Sequence, residues 1–322
     1  MALKPIFRST IFALILVIGQ AFGGFIISPI FKFFHVSLPV AIVLGQIIVL
    51  LIPTIIYFIV TKQSVKEVLK LNSIGFLDVI IIIAIGICSQ PIAMFIGFAA
   101  NLFFPNVISK VMLDIVTLPL AAKLGIMALT PAICEEITVR GIILSGYKNV
   151  NHVVSAIITG FIFGILHMNL QQFFYAFALG VLLAYLVHIT NSIFASMLCH
   201  FTFNGISTLL TSLVSTQTDL SKAGAPDINK IGSFEKIAAL VMLFIVAVIF
   251  AAIVGLLIWA LIGVNKNKKL KRQFTIESMS DVGFNEEMSF VLKEPKESIF
   301  NWPLAAIVVT FIVVQVMDFY IK

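Results

Sequence analysis

Glu135, Glu136 and Arg140 stand together in CEEITVR, a stretch surrounded by alanine, isoleucine, leucine and valine. Further along come His167 in FGILH, then His200 and Asn204 in HFTFN. From Asn149 to Thr218 the chain has no Asp, Glu, Lys or Arg, so the polar groups inside that block stand out. The chemistry they suit is hydrolysis. A carboxylate can take a proton from water, and paired hydrogen-bond donors can steady a developing oxyanion.

Spacing divides the roles. Glu136 and Arg140 are four apart and share a helical face, so they can neutralise each other. Glu135 is rotated by about 100° on a helix and is expected to face a different point. It is left to border a wet pocket as the base. His200 and Asn204, also four apart, project from one stripe and can donate to an oxyanion, while His167 can hold the attacking water beside Glu135. Each group alone has a plainer reading: the triplet as a buried ion pair, a single His or Asn as interhelical glue. His188 is expected at a helix end, His152 and His35 in loops, and none of the three in the site.

The elements that must position these groups are membrane helices. Sixty per cent of the 322 residues are hydrophobic and 11% are charged, and mean hydropathy is +1.12. Soluble domains carry roughly 25% charged residues. This chain cannot solvate a globular surface, and the fold class is an all-α polytopic transmembrane bundle. Apolar runs of spanning length fall at 9–31, 38–61, 77–104, 116–146, 153–169, 173–190, 192–213, 236–263 and 303–321. The fourth is too long for one straight span, and Pro131 should kink or split it. The first run continues past any signal-peptide length without a small-residue cleavage pattern, so it reads as an uncleaved span.

Lysine and arginine set the orientation. Lys4 and Arg8 precede the first span; Lys62, Lys66 and Lys70 follow the second; Lys148 follows the fourth; KNKKLKR (266–272) follows the eighth. All share one side if the N-terminus is cytosolic, and the loop STQTDLSKAGAPDINKIGS falls on the other. At about 1.5 Å per helical residue, counted from the cytosolic ends, Arg140 and His200 lie roughly 12–13 Å deep. Glu135, His167 and Asn204 come to roughly 19–20 Å on the same count. Three helices thus deliver polar groups to one layer. Arginine is scarce, with three against eighteen lysines, and an arginine or carboxylate at mid-bilayer costs about 2.5–3.5 kcal/mol on insertion scales. Residues 1–263 read as a core of eight spans, 264–302 as a cytosolic polar linker between Trp259 and Trp302, and 303–322 as a ninth span. Cys88, Cys134 and Cys199 lie in apolar runs, without disulfide or zinc-finger spacing.

EEITVR, FGILH and HFTFN fit EExxxR, FxxxH and HxxxN, in that order. On these three motifs the chain resembles the CPBP (CAAX-protease and bacteriocin-processing, or Abi) family of intramembrane endopeptidases. The motif region covers 116–213, and eight spans match that family's core; the ninth span and the linker fall outside the resemblance. The resemblance implies a metal-independent glutamate-type protease with no cofactor. Glu135 and His167 would activate water, His200 and Asn204 would stabilise the oxyanion, and Glu136 and Arg140 would support the site. Its substrate would be a membrane-associated peptide or lipid-anchored protein, with processing or bacteriocin immunity as the bacterial roles. Lysine-rich, Ile- and Phe-rich usage suggests a bacterial cell membrane, and so little clustered charge argues against nucleic acid. Three other readings compete: a zinc protease using Glu135, His167 and His200, a non-catalytic immunity or regulatory scaffold, and a proton-coupled transporter.

Overall fold

The computed structural model describes residues 3–104, 115, 117–217, 232–280 and 297–321. Among these the chain is helical, without a strand. The long elements are α1 (Pro5–Phe33), α2 (Leu38–Thr61), α3 (Phe76–Asn101), α4 (120–146), α5 (His152–Leu166), α6 (Leu170–Thr190), α7 (Ile193–Gln217), α8 (Ser233–Ser280) and α9 (Trp302–Ile321). Seven of them are long and apolar enough to cross a membrane; the other two are α4 and the 15-residue α5. The protein is a multi-pass membrane protein. Its outer surface is the reverse of a soluble one, with Phe25, Ile59, Leu256 and Trp259 all largely exposed.

Helices α2, α3 and α4 are interrupted, and a proline follows the first interruption in each. Pro53 comes after a π-helical turn at Ile47–Leu51, and Pro91 after a break at Ser89. Pro131 follows the π turn Gly125–Leu129, and a second π segment, Ile137–Ile143, comes after the short α-helical piece Thr130–Glu136. Proline lacks the amide hydrogen and crowds the carbonyl four residues back, so the upstream turn widens. Thr130 Oγ1 donates to the Gly125 carbonyl at 2.8 Å, beside the π-type bond that carbonyl accepts from the Thr130 amide. The expected break in the fourth run is thus a widened turn before Pro131 in a continuous helix; the second widened segment, Ile137–Ile143, lies downstream of that proline.

Helices α5 and α6 form a tight antiparallel hairpin. A Cβ built on Gly160 would meet the Val181 nitrogen at 2.7 Å, and one on Gly180 would meet the Gly160 Cα at 2.8 Å. Only glycine permits that approach, and it draws the α5–α6 turn, with His167, into the bundle. At the turn Met168 adopts φ 50°, and Asn169 caps α6 by accepting from Gln172 N at 3.1 Å.

The ninth span, outside the resemblance, is part of the core. Ile307 and Phe311 on α9 are buried with Phe12 and Leu16 of α1. The Glu297 carboxylate accepts from the amides of Ile6 and Phe7 at 2.9 and 2.7 Å, capping α1 from outside its own helix. Gln315 Nε2 donates to the Met168 carbonyl at 3.1 Å. Helix α8 does not stop at residue 263 but runs through the basic stretch to Ser280, where no Gly or Pro interrupts it. Lys268 and Asn265 on that extension both bind Asp78 near the start of α3. Residues 281–296 of the linker, and all but the ends of the loop STQTDLSKAGAPDINKIGS, lie outside the described residues.

Candidate functional site

Arg140 and Glu136 form the pair that their spacing predicts, Nη1 to Oε1 at 2.8 Å, with both side chains fully buried. The guanidinium carries two further contacts: Nη2 donates to the Gly180 carbonyl at 3.2 Å, and the charge lies 4.2 Å from the centre of the Phe163 ring. Arg140 thereby ties α4 to the α5–α6 hairpin. Arginine suits the place because its planar group donates in several directions and stacks on an aromatic face.

Glu136 has a second partner that the spacing did not reveal. His200 Nδ1 stands 2.9 Å from the same Oε1. A carboxylate only accepts, so Nδ1 carries the hydrogen and the ring is fixed in orientation. The opposite nitrogen, Nε2, is 3.9 Å from Glu135 Oε2. Both glutamates therefore approach one imidazole, each at its own edge. The 100° rotation holds for a point, but an imidazole has two edges and reaches both carboxylates.

Glu135 borders open space, its side chain 20% exposed where that of Glu136 is 0%. It lines a cavity of about 630 Å³ together with His167, His200 and Asn204. The structure brings those four predicted residues to one cavity and keeps Glu136 and Arg140 behind the wall. A smaller cavity of about 200 Å³ also touches Glu135 and His167, with Thr138 and Gln172. His167 Nδ1 donates to the Phe163 carbonyl at 2.9 Å, leaving Nε2 as its free acceptor. Phe163 also meets both imidazoles edge-on, His167 at 4.9 Å and His200 at 5.9 Å between ring centres.

The cavity wall is mostly apolar, with uncharged hydrogen-bonding groups set into it from Gln46, Gln90, Gln171, Gln172, Tyr175 and Ser207. Gln90 donates to the Phe203 carbonyl and accepts from Ser207 Oγ at 3.0 Å, joining α3 to α7 along that wall. Sequence reading passed over these glutamines; their signal was repeated amides inside spans, at positions where a lipid-facing residue would be apolar. Cys134 and Cys199 are buried and do not line the cavity. His188 Nε2 pairs with Ser155 Oγ at 2.8 Å and its ring stacks on His152 at 4.2 Å, away from the site. Among the described residues no group of three or more His, Cys, Asp or Glu side chains is spaced to share one cation.

Residues 117–206 match the family model of Rce1-like proteins, the type II CAAX prenyl endopeptidases. No curated protein and no solved structure matches the chain. The matched stretch runs from just before α4 into α7 and contains all six predicted site residues, while α1, α2, α3, α8 and α9 fall outside it. At family level the match implies CAAX-type proteolysis within a membrane.

Proposed function

We propose that this protein is a glutamate-type intramembrane endopeptidase acting on a membrane-associated peptide or lipid-anchored protein. The observation that carries the reading is the convergence of Glu135, His167, His200 and Asn204 on one cavity, with His200 held from behind by Glu136. A water between Glu135 and the free Nε2 of His167 loses its proton to the carboxylate as its oxygen attacks the substrate carbonyl. The carbonyl oxygen becomes an oxyanion. His200 Nε2–H and the Asn204 amide donate to it, and Glu136 on Nδ1 supplies the counter-charge for the imidazolium. Collapse of the tetrahedral species expels the amine, which takes the proton from Glu135. Glu135 then returns to its starting form.

Arg140 keeps Glu136 ionised and fixed, so it serves His200 indirectly and touches no reacting atom. The amides set into the wall suit an extended peptide, whose unpaired backbone groups need partners in a dry setting. The test is a comparison of peptide termini in membranes from cells carrying the wild type and Glu135→Gln. New termini confined to the wild type support the proposal; identical termini in both overturn it.

A further inference from the structure

Glu135 and His167 stand where two cavities meet. The large one, about 630 Å³, also takes in His200 and Asn204, the two donors to the oxyanion. The small one, about 200 Å³, touches neither of them. Its wall comes instead from Gln20 of α1, Leu50 of α2, Thr138 and Val139 of α4, Leu166 of α5 and Gln172 of α6. The two also differ in character. The large cavity is mostly apolar, while the small one presents mostly polar surface.

At about 30 Å³ per water, the small cavity has room for several, and each buried water needs about two to four polar partners. The Glu135 carboxylate, the acceptor Nε2 of His167, the Thr138 hydroxyl and the Gln20 amide can meet that need. Thr138 commits its hydrogen to the Cys134 and Glu135 carbonyls, at 3.0 and 2.9 Å, which leaves its oxygen as an acceptor. Gln20 is the only polar side chain on α1 between Thr10 and Ser28. Its Nε2 donates to the Leu166 carbonyl at 3.4 Å, and its Oε1 accepts from no protein group among the described residues. An amide inside a span costs free energy, and one bond that long offsets little of it. Gln20 also lies outside the stretch that matches the family model, so no shared motif accounts for it.

A peptide lying in the large cavity displaces the water there, so the nucleophile must be held elsewhere. An attacking oxygen approaches the carbonyl carbon from one face, while the carbonyl oxygen points to its donors. We infer that the small cavity holds the water that attacks the peptide bond, with Gln20 and Thr138 as its positioning residues, and that the peptide occupies the large cavity alone. The water gives one proton to Glu135 as its oxygen bonds to the carbonyl carbon, and the displaced electron pair moves onto the carbonyl oxygen. A neighbouring water in the small cavity takes its place for the next turnover. This deepens the proteolytic reading and rests on it for the role of nucleophile; the water site itself rests on the cavity and its lining.

Radiolytic footprinting of the purified full-length protein tests the water site directly. A brief X-ray pulse turns water into hydroxyl radicals, which oxidise the side chains beside it. Leu50 and Leu166 are buried, at 2% and 7% exposure, and border only the small cavity. Leu16, at 0%, borders neither cavity and serves as the control. Labelling of Leu50 and Leu166 well above Leu16 is expected, with a several-fold drop at both in Gln20→Phe, whose ring takes up part of the space. Labelling no higher than at Leu16 overturns the inference. A synthetic peptide spanning a cut site found by the terminus comparison then tests the role. Gln20→Leu and Thr138→Val should each lower kcat by about 3–10-fold, the loss of one hydrogen bond to the water, with KM and the unfolding midpoint unchanged. Thr138→Ser should restore kcat; a purely packing role would instead lower the midpoint and spare kcat. Unchanged kcat in Gln20→Leu defeats the inference even where Thr138→Val fails to fold. Footprints at Leu50 and Leu166 with no peptide cut leave the water site standing and remove the protease assignment.

Discussion

One face of α4 borders a cavity and the other is packed shut, and two adjacent glutamates fall on opposite sides of that divide. Glu135 keeps access to water-sized space and lies near an imidazole it does not hydrogen-bond. Glu136 has no exposure and is bound by a guanidinium and an imidazole together. The same side chain can therefore be a base on one face and a fixed counter-charge on the other. Environment, rather than residue type, divides the labour, as it does wherever paired carboxylates take separate roles.

The sharpest way to break this comparison is to neutralise each glutamate in turn. Glu135→Gln keeps volume and removes the base, and cleavage in a single-turnover assay should fall by about 10²–10⁴-fold with the unfolding midpoint unchanged. A variant with wild-type turnover would reassign the base. On the packed face Arg140→Ala leaves Glu136 without its cation, and stability should drop by about 3–5 kcal/mol. Thermal unfolding in detergent and steady-state abundance read that loss. Asn204→Ala should lower kcat by about 10²-fold, the cost of one oxyanion donor, while KM holds; a rise in KM alone would make Asn204 a binding group.

Smaller effects test what stands behind the site. Gln315→Leu removes the donor to the Met168 carbonyl beside His167 and should cost about 1 kcal/mol, read as a lowered midpoint with a few-fold loss of kcat. The smallest expected effect is none. Prolonged dialysis against a chelator should leave cleavage unchanged, whereas loss restored by zinc would favour Glu135, His167 and His200 as ligands.

The chemistry was legible in the sequence because charge is so expensive in an apolar chain. Glu135, Glu136 and Arg140 had to have either partners or a task, and helical spacing identified one pair at once. Run lengths gave the helical elements, and Pro131 marked one of the three interrupted helices, while Pro53 and Pro91 carried the same signal unread. The link from Glu136 to His200 was not legible, since it depends on how α4 and α7 cross, which no local pattern encodes. Nor was the docking of α9. Its apolar run says that it spans, but nothing in residues 303–321 names α1 as the neighbour.

The clasp between Glu297 and the first turn of α1 joins positions 291 apart. Synthesis delivers α1 to the bilayer long before α9, so the α1 surface that meets α9, where Phe7 packs edge-on against Trp302, waits uncovered while the helices between them insert. Closure across so long an interval is slow, and the waiting surface invites wrong pairings. A chain cut short before residue 297 would lack both the cap on α1 and the helix that covers it.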